Sequence, residues 1–185
     1  MNKAVFLDKD GTLIENIPFN VDPERIKFYP DVPASLYKLL QRGYLLVVIS
    51  NQSGVSFGYF EEKDLNNISS EIKKRLKDYK VEIKDFYYCP HHEGGKIPAY
   101  AIACLCRKPK PGLIFQAQQD LAIDLKNSWI IGDILNDVEA GKRAGCKTIL
   151  INNGNETEWI INELRAPDFI VECFGEAAAT ILKSE

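Results

Sequence analysis

No stretch of this chain carries the ~20 consecutive apolar residues that a membrane-crossing helix needs, so a spanning role is not expected. Neither sign of charge dominates: 23 Lys and Arg stand against 26 Asp and Glu, a net charge of −3. That balance excludes a general pull toward nucleic acid or an anionic membrane. Any anionic ligand must then be held by local cations or a metal. Repeats, low-complexity tracts and dividing linkers are absent as well, so one domain over residues 1–185 is expected. The first strand-like run begins at residue 4, which leaves no room for a signal peptide, and a cytoplasmic location is the expectation. What is present is ordinary for a globular protein: 45% hydrophobic and 26% charged residues.

Strand-like and helix-like segments alternate. Ala4–Leu7, Tyr44–Ile49, Ser128–Ile131 and Lys147–Ile151 are continuous apolar runs, as expected for strands buried on both faces. Ile83–Tyr88 reads as a strand nearer an edge, and Phe169–Val171 as a short last strand. Leu36, Leu39 and Leu40 share a helical face that Gly43 is placed to cap. Leu65, Ile68, Ile72 and Leu76 form a second stripe. Pro111 suits a first helical position ahead of Leu113, Ile114, Ala117 and Leu121, and residues 137–144 read as a short helix stopped by Gly145. Alternation of this kind implies an α/β, doubly wound, mainly parallel Rossmann-like sheet. Ligands of such folds sit outside the carboxyl ends of the strands, near the switch point. Two stretches break the rhythm, 14–30 and 89–110, and both begin at a strand's carboxyl end.

The first strand ends in Asp8-Lys9-Asp10-Gly11-Thr12. Side chains two apart on an extended chain share a side, so Asp8 and Asp10 repel unless one is protonated or a cation lies between them. Mg²⁺ fits, because it takes carboxylate oxygens and leaves places for water and phosphate. An Asp-rich turn is the plainer alternative. The second strand ends in Ser50-Asn51-Gln52-Ser53-Gly54, donors able to hold phosphate oxygens but equally good turn chemistry. The fourth ends in Gly132-Asp133, within reach of a metal shared with Asp8, while Asp137 at a helix start could simply favour the dipole. Arg107-Lys108-Pro109-Lys110 places cations before a helix, as a binding element or a solvated turn.

Five cysteines is an odd count, and three fall between positions 89 and 106. Cys89, His91, Cys104 and Cys106 give C-x-H-x12-C-x-C, three thiolates and one imidazole, a set suited to structural Zn²⁺. The loop they enclose has little apolar content, and a metal staple would supply stability it lacks. Free thiols or a Cys104–Cys106 bridge are the alternatives. Cys146 and Cys173 are expected in the core and His92 on the surface.

The Asp-x-Asp-Gly-Thr segment resembles the first motif of the haloacid dehalogenase superfamily, and Ser50, Lys108 and Asp133 with Asp137 fall where its other motifs are expected, in order. The resemblance implies that Asp8 is a nucleophile forming an aspartyl-phosphate, Asp10 a general acid and base, and Ser50 and Lys108 stabilisers of the phosphoryl oxygens. It also implies Mg²⁺ on Asp8, Asp133 and the backbone carbonyl of Asp10. Within the superfamily, residues 50–54, 87–92 and the cysteine loop running into 107–112 resemble the heptose bisphosphate 7-phosphatases. That implies a zinc-stapled loop, no large cap domain, and substrate contacts from Asn16, Ile17, Pro18, Phe19, Asn51, Gln52, Ser53 and Arg107. The implied partner is a small phosphorylated metabolite; a domain of this size is separately expected to be a monomer. Two positions depart from the family pattern: Phe57 stands where Arg is common, and Ile134 where Lys is frequent.

Three competing readings remain, one of them an inactive zinc-built interaction module, which would have no reason to retain both Asp8 and Asp10. Histidinol-phosphate phosphatases share the Asp motifs and a comparable zinc loop. A phospho-Asp receiver domain is also doubly wound, yet it is shorter, and neither the poised Asp10 nor the cysteine loop belongs to it.

Overall fold

The computed structural model describes residues 1–184. Six strands form one sheet, all parallel: β1 (Ala4–Leu7), β2 (Leu45–Asn51), β3 (Asp85–Cys89), β4 (Trp129–Gly132), β5 (Lys147–Ile151) and β6 (Phe169–Val171). Their spatial order is β3-β2-β1-β4-β5-β6. The chain therefore reverses direction across the sheet between β1 and β4, and this switch point is where doubly wound folds open a crevice at the strand carboxyl ends. β3 lies at an edge, as its mixed composition implied.

The helices are α1 (Val32–Gln41), α2 (Gly54–Phe57), α3 (Glu62–Lys77), α4 (Gly112–Leu121), α5 (Leu135–Ala144) and α6 (Phe174–Lys183). Alternation along β1 divides the core in two. Val5 and Leu7 pack with Leu36, Ile72 and Ile181 from α1, α3 and α6, whereas Ala4 and Phe6 pack with Leu113, Ala117 and Ala140 from α4 and α5. A sheet covered on both faces explains the unbroken apolar runs. No helix among the described residues is long and apolar enough to cross a membrane.

Several boundaries differ from the sequence expectation. α5 starts at Leu135, two residues early, because the Ile134 N–H donates to the Asp137 carboxylate at 3.3 Å. Asp137 thus closes the first turn from inside the helix. Pro111 caps α4 and is not its first residue, and β2 continues to Asn51. Cys146 is buried as expected, but Cys173 is exposed: Phe174 turns into the core, leaving Cys173 on the outer side of the turn into α6. α6 and the stretch at 152–168, a third long connection, had no counterpart in the sequence reading.

Candidate active site

Three strand ends meet at the switch point. β1 delivers Asp8, Lys9 and Asp10, and the chain then turns at Gly11, whose φ of +86° is the left-handed conformation that favours glycine. Space demands glycine too, since a Cβ there would lie 2.0 Å from the Asp133 Oδ2. Asp133 follows the last residue of β4 directly and is buried. Its Oδ1 accepts from the Thr12 hydroxyl at 3.2 Å and its Oδ2 from the Asn155 amide at 2.7 Å.

Lys108 reaches this point from the loop before α4. Its fully buried ammonium lies 2.5 Å from Asp8 Oδ1 and 2.5 Å from Asp137 Oδ1, and donates to the Ile49 carbonyl at 2.9 Å. Burial alone would lower its pKa, but the Asp137 and Asp8 carboxylates outweigh it and hold the pKa above the ordinary lysine value. The Asn51 side chain fixes the lysine's backbone: its amide donates to the Lys108 carbonyl and its oxygen accepts the Lys108 N–H, both at 3.0 Å. Asn51 therefore serves the cation's position, an arrangement the substrate-contact expectation had not included.

Carboxylate oxygens of Asp8, Asp133 and Asp137 lie within 4.8 Å of one another. Burial first, then the neighbouring Asp8 and Asp137 charges, push Asp133 up to about 8. Asp137 is raised to about 6, again by burial first, with Lys108 opposing. Three acids against one ammonium leave a net negative, oxygen-only group, the chemistry that suits a hard divalent cation. Asp137 pairs with Lys108 at 2.5 Å through Oδ1 and accepts the Ile134 N–H at 3.3 Å through Oδ2. The dipole-only alternative for Asp137 therefore fails.

Asp10 stands slightly apart. Its carboxylate pairs with the buried Lys9 ammonium at 3.0 Å and accepts from the Gln52 amide at 3.0 Å. Burial raises its pKa despite Lys9, and Asp8 raises it further. The same Gln52 amide donates to the buried Ser50 hydroxyl at 2.7 Å, tying the second strand end to the first.

The remaining expected contacts lie on loops outside this cluster of acids. Arg107 donates to the His91 carbonyl at 3.3 Å and lines a cavity of about 290 Å³ with Lys108, His92 and Asn136. Ser53 precedes α2, Asn16 and Pro18 are exposed, and Ile17 is half-buried. Phe19, half exposed, sets its ring 4.7 Å from Tyr59 and 6.4 Å from Phe57, and Phe57 in turn lies 5.0 Å from His92. Phe57 thus joins aromatic rings where the family pattern has a cation. His92, expected to lack a partner, is half-buried, and its Nδ1 accepts the Gly94 N–H at 3.1 Å.

Cys89, His91, Cys104 and Cys106 converge with all ligand atoms within 4.8 Å of one another. Cys89 Sγ lies 3.0 Å from Cys106 Sγ and 3.5 Å from Cys104 Sγ, while His91 Nδ1 is 3.3 Å from Cys106 Sγ. No disulfide joins them, which removes the Cys104–Cys106 bridge. The Cys89 contact, then those from His91 and Cys104, lower the Cys106 thiol to about 5, toward the thiolate that binds metal. Three sulfurs and one ring nitrogen match the ligand types of a closed structural zinc site.

Sequence reasoning missed Lys9, Asn153 and Asn155. Asn-Asn-Gly-Asn directly after the β5 run repeats the strand-end pattern of Ser50-Asn51-Gln52-Ser53-Gly54, and that was the available signal.

Comparison with known proteins bears on this geometry. Residues 105–177 match a family model described as HAD-hydrolase-like. The chain is 41% identical over 155 residues to the D-glycero-beta-D-manno-heptose-1,7-bisphosphate 7-phosphatase of Pasteurella multocida, covering 83% of this chain and 84% of that protein. It is 35% identical to the alpha-heptose counterpart from Photorhabdus laumondii, covering 84% and 85%. The fold resembles the crystal structure of D,D-heptose 1,7-bisphosphate phosphatase from B. bronchiseptica complexed with magnesium and phosphate, with a TM-score of 0.81 at 24% identity and 99% of both chains covered. With its acid-and-lysine centre and this likeness along most of its length, the chain belongs to the haloacid dehalogenase superfamily and, within it, to the D-glycero-D-manno-heptose 1,7-bisphosphate 7-phosphatase family.

Proposed function

We propose that this protein removes the 7-phosphate of D-glycero-D-manno-heptose 1,7-bisphosphate through an aspartyl-phosphate on Asp8. The observation that carries the reading is the buried Lys108 ammonium, shared at 2.5 Å between Asp8 and Asp137 beside Asp133, in a chain 41% identical to a phosphatase of that name. Asp8 attacks phosphorus, and the bond from phosphorus to the sugar's O7 breaks. Asp10, whose pKa burial raises, gives its proton to the departing oxygen. Asp10 then takes a proton from the water that attacks phosphorus, phosphate leaves, and Asp8 is restored. Splitting one hard displacement into two easier ones is the gain of a carboxylate nucleophile. Lys108 neutralises the phosphoryl oxygens and keeps Asp8 aimed, and the Ser50 hydroxyl adds a donor; alignment and charge neutralisation are what phosphoryl transfer needs. Asp8, Asp133 and the Asp10 carbonyl would hold Mg²⁺, which supplies the positive charge these acids and a phosphate share. The Cys89, His91, Cys104 and Cys106 set would hold Zn²⁺ and fix the loop that carries Arg107. Arg107, Ser53 and the residues at 16–19 then face the rest of the sugar, while Asn51 and Gln52 hold Lys108 and Asp10 in place.

Phosphate release from both heptose bisphosphate anomers and from histidinol phosphate, with and without Mg²⁺, tests this reading. Mg²⁺-dependent release of one phosphate per heptose bisphosphate is expected. A higher kcat/KM on histidinol phosphate would move the assignment to that amino-alcohol phosphate, and no turnover of any substrate would end the enzymatic reading.

A further inference from the structure

β5 runs beside β4 and leaves the sheet at its carboxyl edge, so the residues after Ile151 arrive next to the acidic centre. The chain turns tightly there, with Gly154 at a φ of +89° and the Asn155 N–H donating to the Asn153 side chain at 3.3 Å. From this turn three side chains reach back to three separate parts of the site. The Asn153 amide donates to the Gly11 carbonyl at 2.7 Å, the Asn155 amide to Asp133 Oδ2 at 2.7 Å, and Glu156 accepts the Leu135 N–H at 2.6 Å. One loop therefore grips the turn after β1, the acid at the end of β4 and the first residue of α5.

The contact with Asp133 is the consequential one. The Thr12 hydroxyl already holds Oδ1 at 3.2 Å, but a single donor leaves a carboxylate free to swing. The second donor, on the other oxygen, removes that freedom. Gly11 makes the contact possible, because a Cβ there would lie 2.6 Å from the Asn155 amide nitrogen. An amide also suits the place chemically: it donates without adding a charge to a group of three acids.

We propose that Asn155 is a positioning residue for metal binding, its amide fixing the Asp133 carboxylate in the orientation that receives Mg²⁺ while Asn153 holds the neighbouring Gly11 turn. This rests on the reading that Asp133 is a Mg²⁺ ligand. Hydrogen-bond partners of ligating carboxylates typically change metal affinity by about 10- to 100-fold when removed. Asn155 touches no reacting atom, so its loss should appear in metal affinity and not in the chemical step.

Mg²⁺ binding to zinc-loaded, Mg²⁺-free protein, measured by titration calorimetry, tests the proposal with Asn155→Ala, Asn155→Leu and Asp133→Asn. Asn155→Leu keeps the shape of the side chain and removes its donors, so it separates the hydrogen bond from packing. In both Asn155 variants the Mg²⁺ Kd should rise by about tenfold or more, and the Mg²⁺ concentration giving half-maximal phosphate release should rise by the same factor. The kcat at saturating Mg²⁺ and the melting temperature in Mg²⁺-free buffer should stay near wild type. Asn153→Ala should give a smaller shift in the same direction, and it serves if an Asn155 variant does not fold. Wild-type Mg²⁺ affinity in the Asn155 variants, together with lost binding in Asp133→Asn, overturns the positioning role and leaves the metal site standing. Undiminished Mg²⁺ binding in Asp133→Asn overturns the metal reading itself, and the positioning role with it.

Discussion

Three carboxylates packed around one ammonium should cost the metal-free fold stability in a pH-dependent way. In the fold Asp133 is raised to about 8 from an ordinary 3.8, by burial and then by Asp8 and Asp137. An acid whose pKa is raised by folding binds its proton more tightly in the native state, so stability is full below the unfolded value and is lost as pH rises toward the folded one. The window runs from about pH 4 to about pH 8, and at one pKa step per ~1.4 kcal/mol the full difference is on the order of 5 kcal/mol. Asp137, at about 6, draws on the same cluster and opens the loss at the lower end of the window. Asp133→Asn removes the titration while keeping the shape. Urea unfolding of Mg²⁺-free, zinc-loaded wild type and variant at pH 5, 6, 7 and 8 reads the effect. The variant's advantage should widen by about 2 kcal/mol or more over that range. Saturating Mg²⁺ should restore the wild type by about 3 kcal/mol at 100 times its Kd, and should leave the variant unmoved. An advantage that stays flat with pH, or a metal-free wild type more stable at pH 8 than at pH 5, would refute the reasoning.

Other substitutions test other parts of the structure. Gly11→Ala places a Cβ against Asp133 at a φ of +86°, and steady-state assays should show a loss of about 100-fold or more in kcat, as expected when reacting groups shift by an ångström. Cys104→Ser should release zinc, seen by elemental analysis, and open residues 90–106 to proteolysis while leaving the sheet's circular dichroism unchanged; full zinc content in the variant would remove Cys104 from the set. Asp168 accepts from the Thr148 N–H at 2.7 Å and hydroxyl at 3.0 Å and pairs with Lys142. Asp168→Ala should cost about 2 kcal/mol in urea unfolding at pH 7. Burial works against the Asp168 charge, but Lys142 and Thr148 prevail and hold its pKa below the usual range, so the gap to wild type should close as pH falls past that value.

The sheet could be read from the chain because its strands are buried on both faces and announce themselves as unbroken apolar runs. The site could be read because strand ends are fixed points: Asp8 and Ser50 follow such a run directly, and Asp133 follows one after a single glycine. What stayed hidden was the pairing across distance. Asn51 turns to the backbone of Lys108 because an amide both donates and accepts, and nothing local says it will meet a lysine 57 residues on. Nothing in the sequence says that the fold buries Lys9 against Asp10. Asn155 depends wholly on topology, since only the adjacency of β4 and β5 brings it to Asp133. Cys173 failed for a simpler reason: apolar neighbours in sequence do not settle which side of a turn a residue faces.

The covalent intermediate on Asp8 is the point at which the whole account is most exposed. Enzyme quenched in acid during turnover of heptose bisphosphate and reduced with borohydride would convert an aspartyl-phosphate to homoserine, located by peptide mass spectrometry. Homoserine at position 8, and at no other acid, is the expected result. Its absence under conditions where phosphate is released, or its appearance at Asp10 or Asp133, would contradict the assignment of Asp8 as nucleophile.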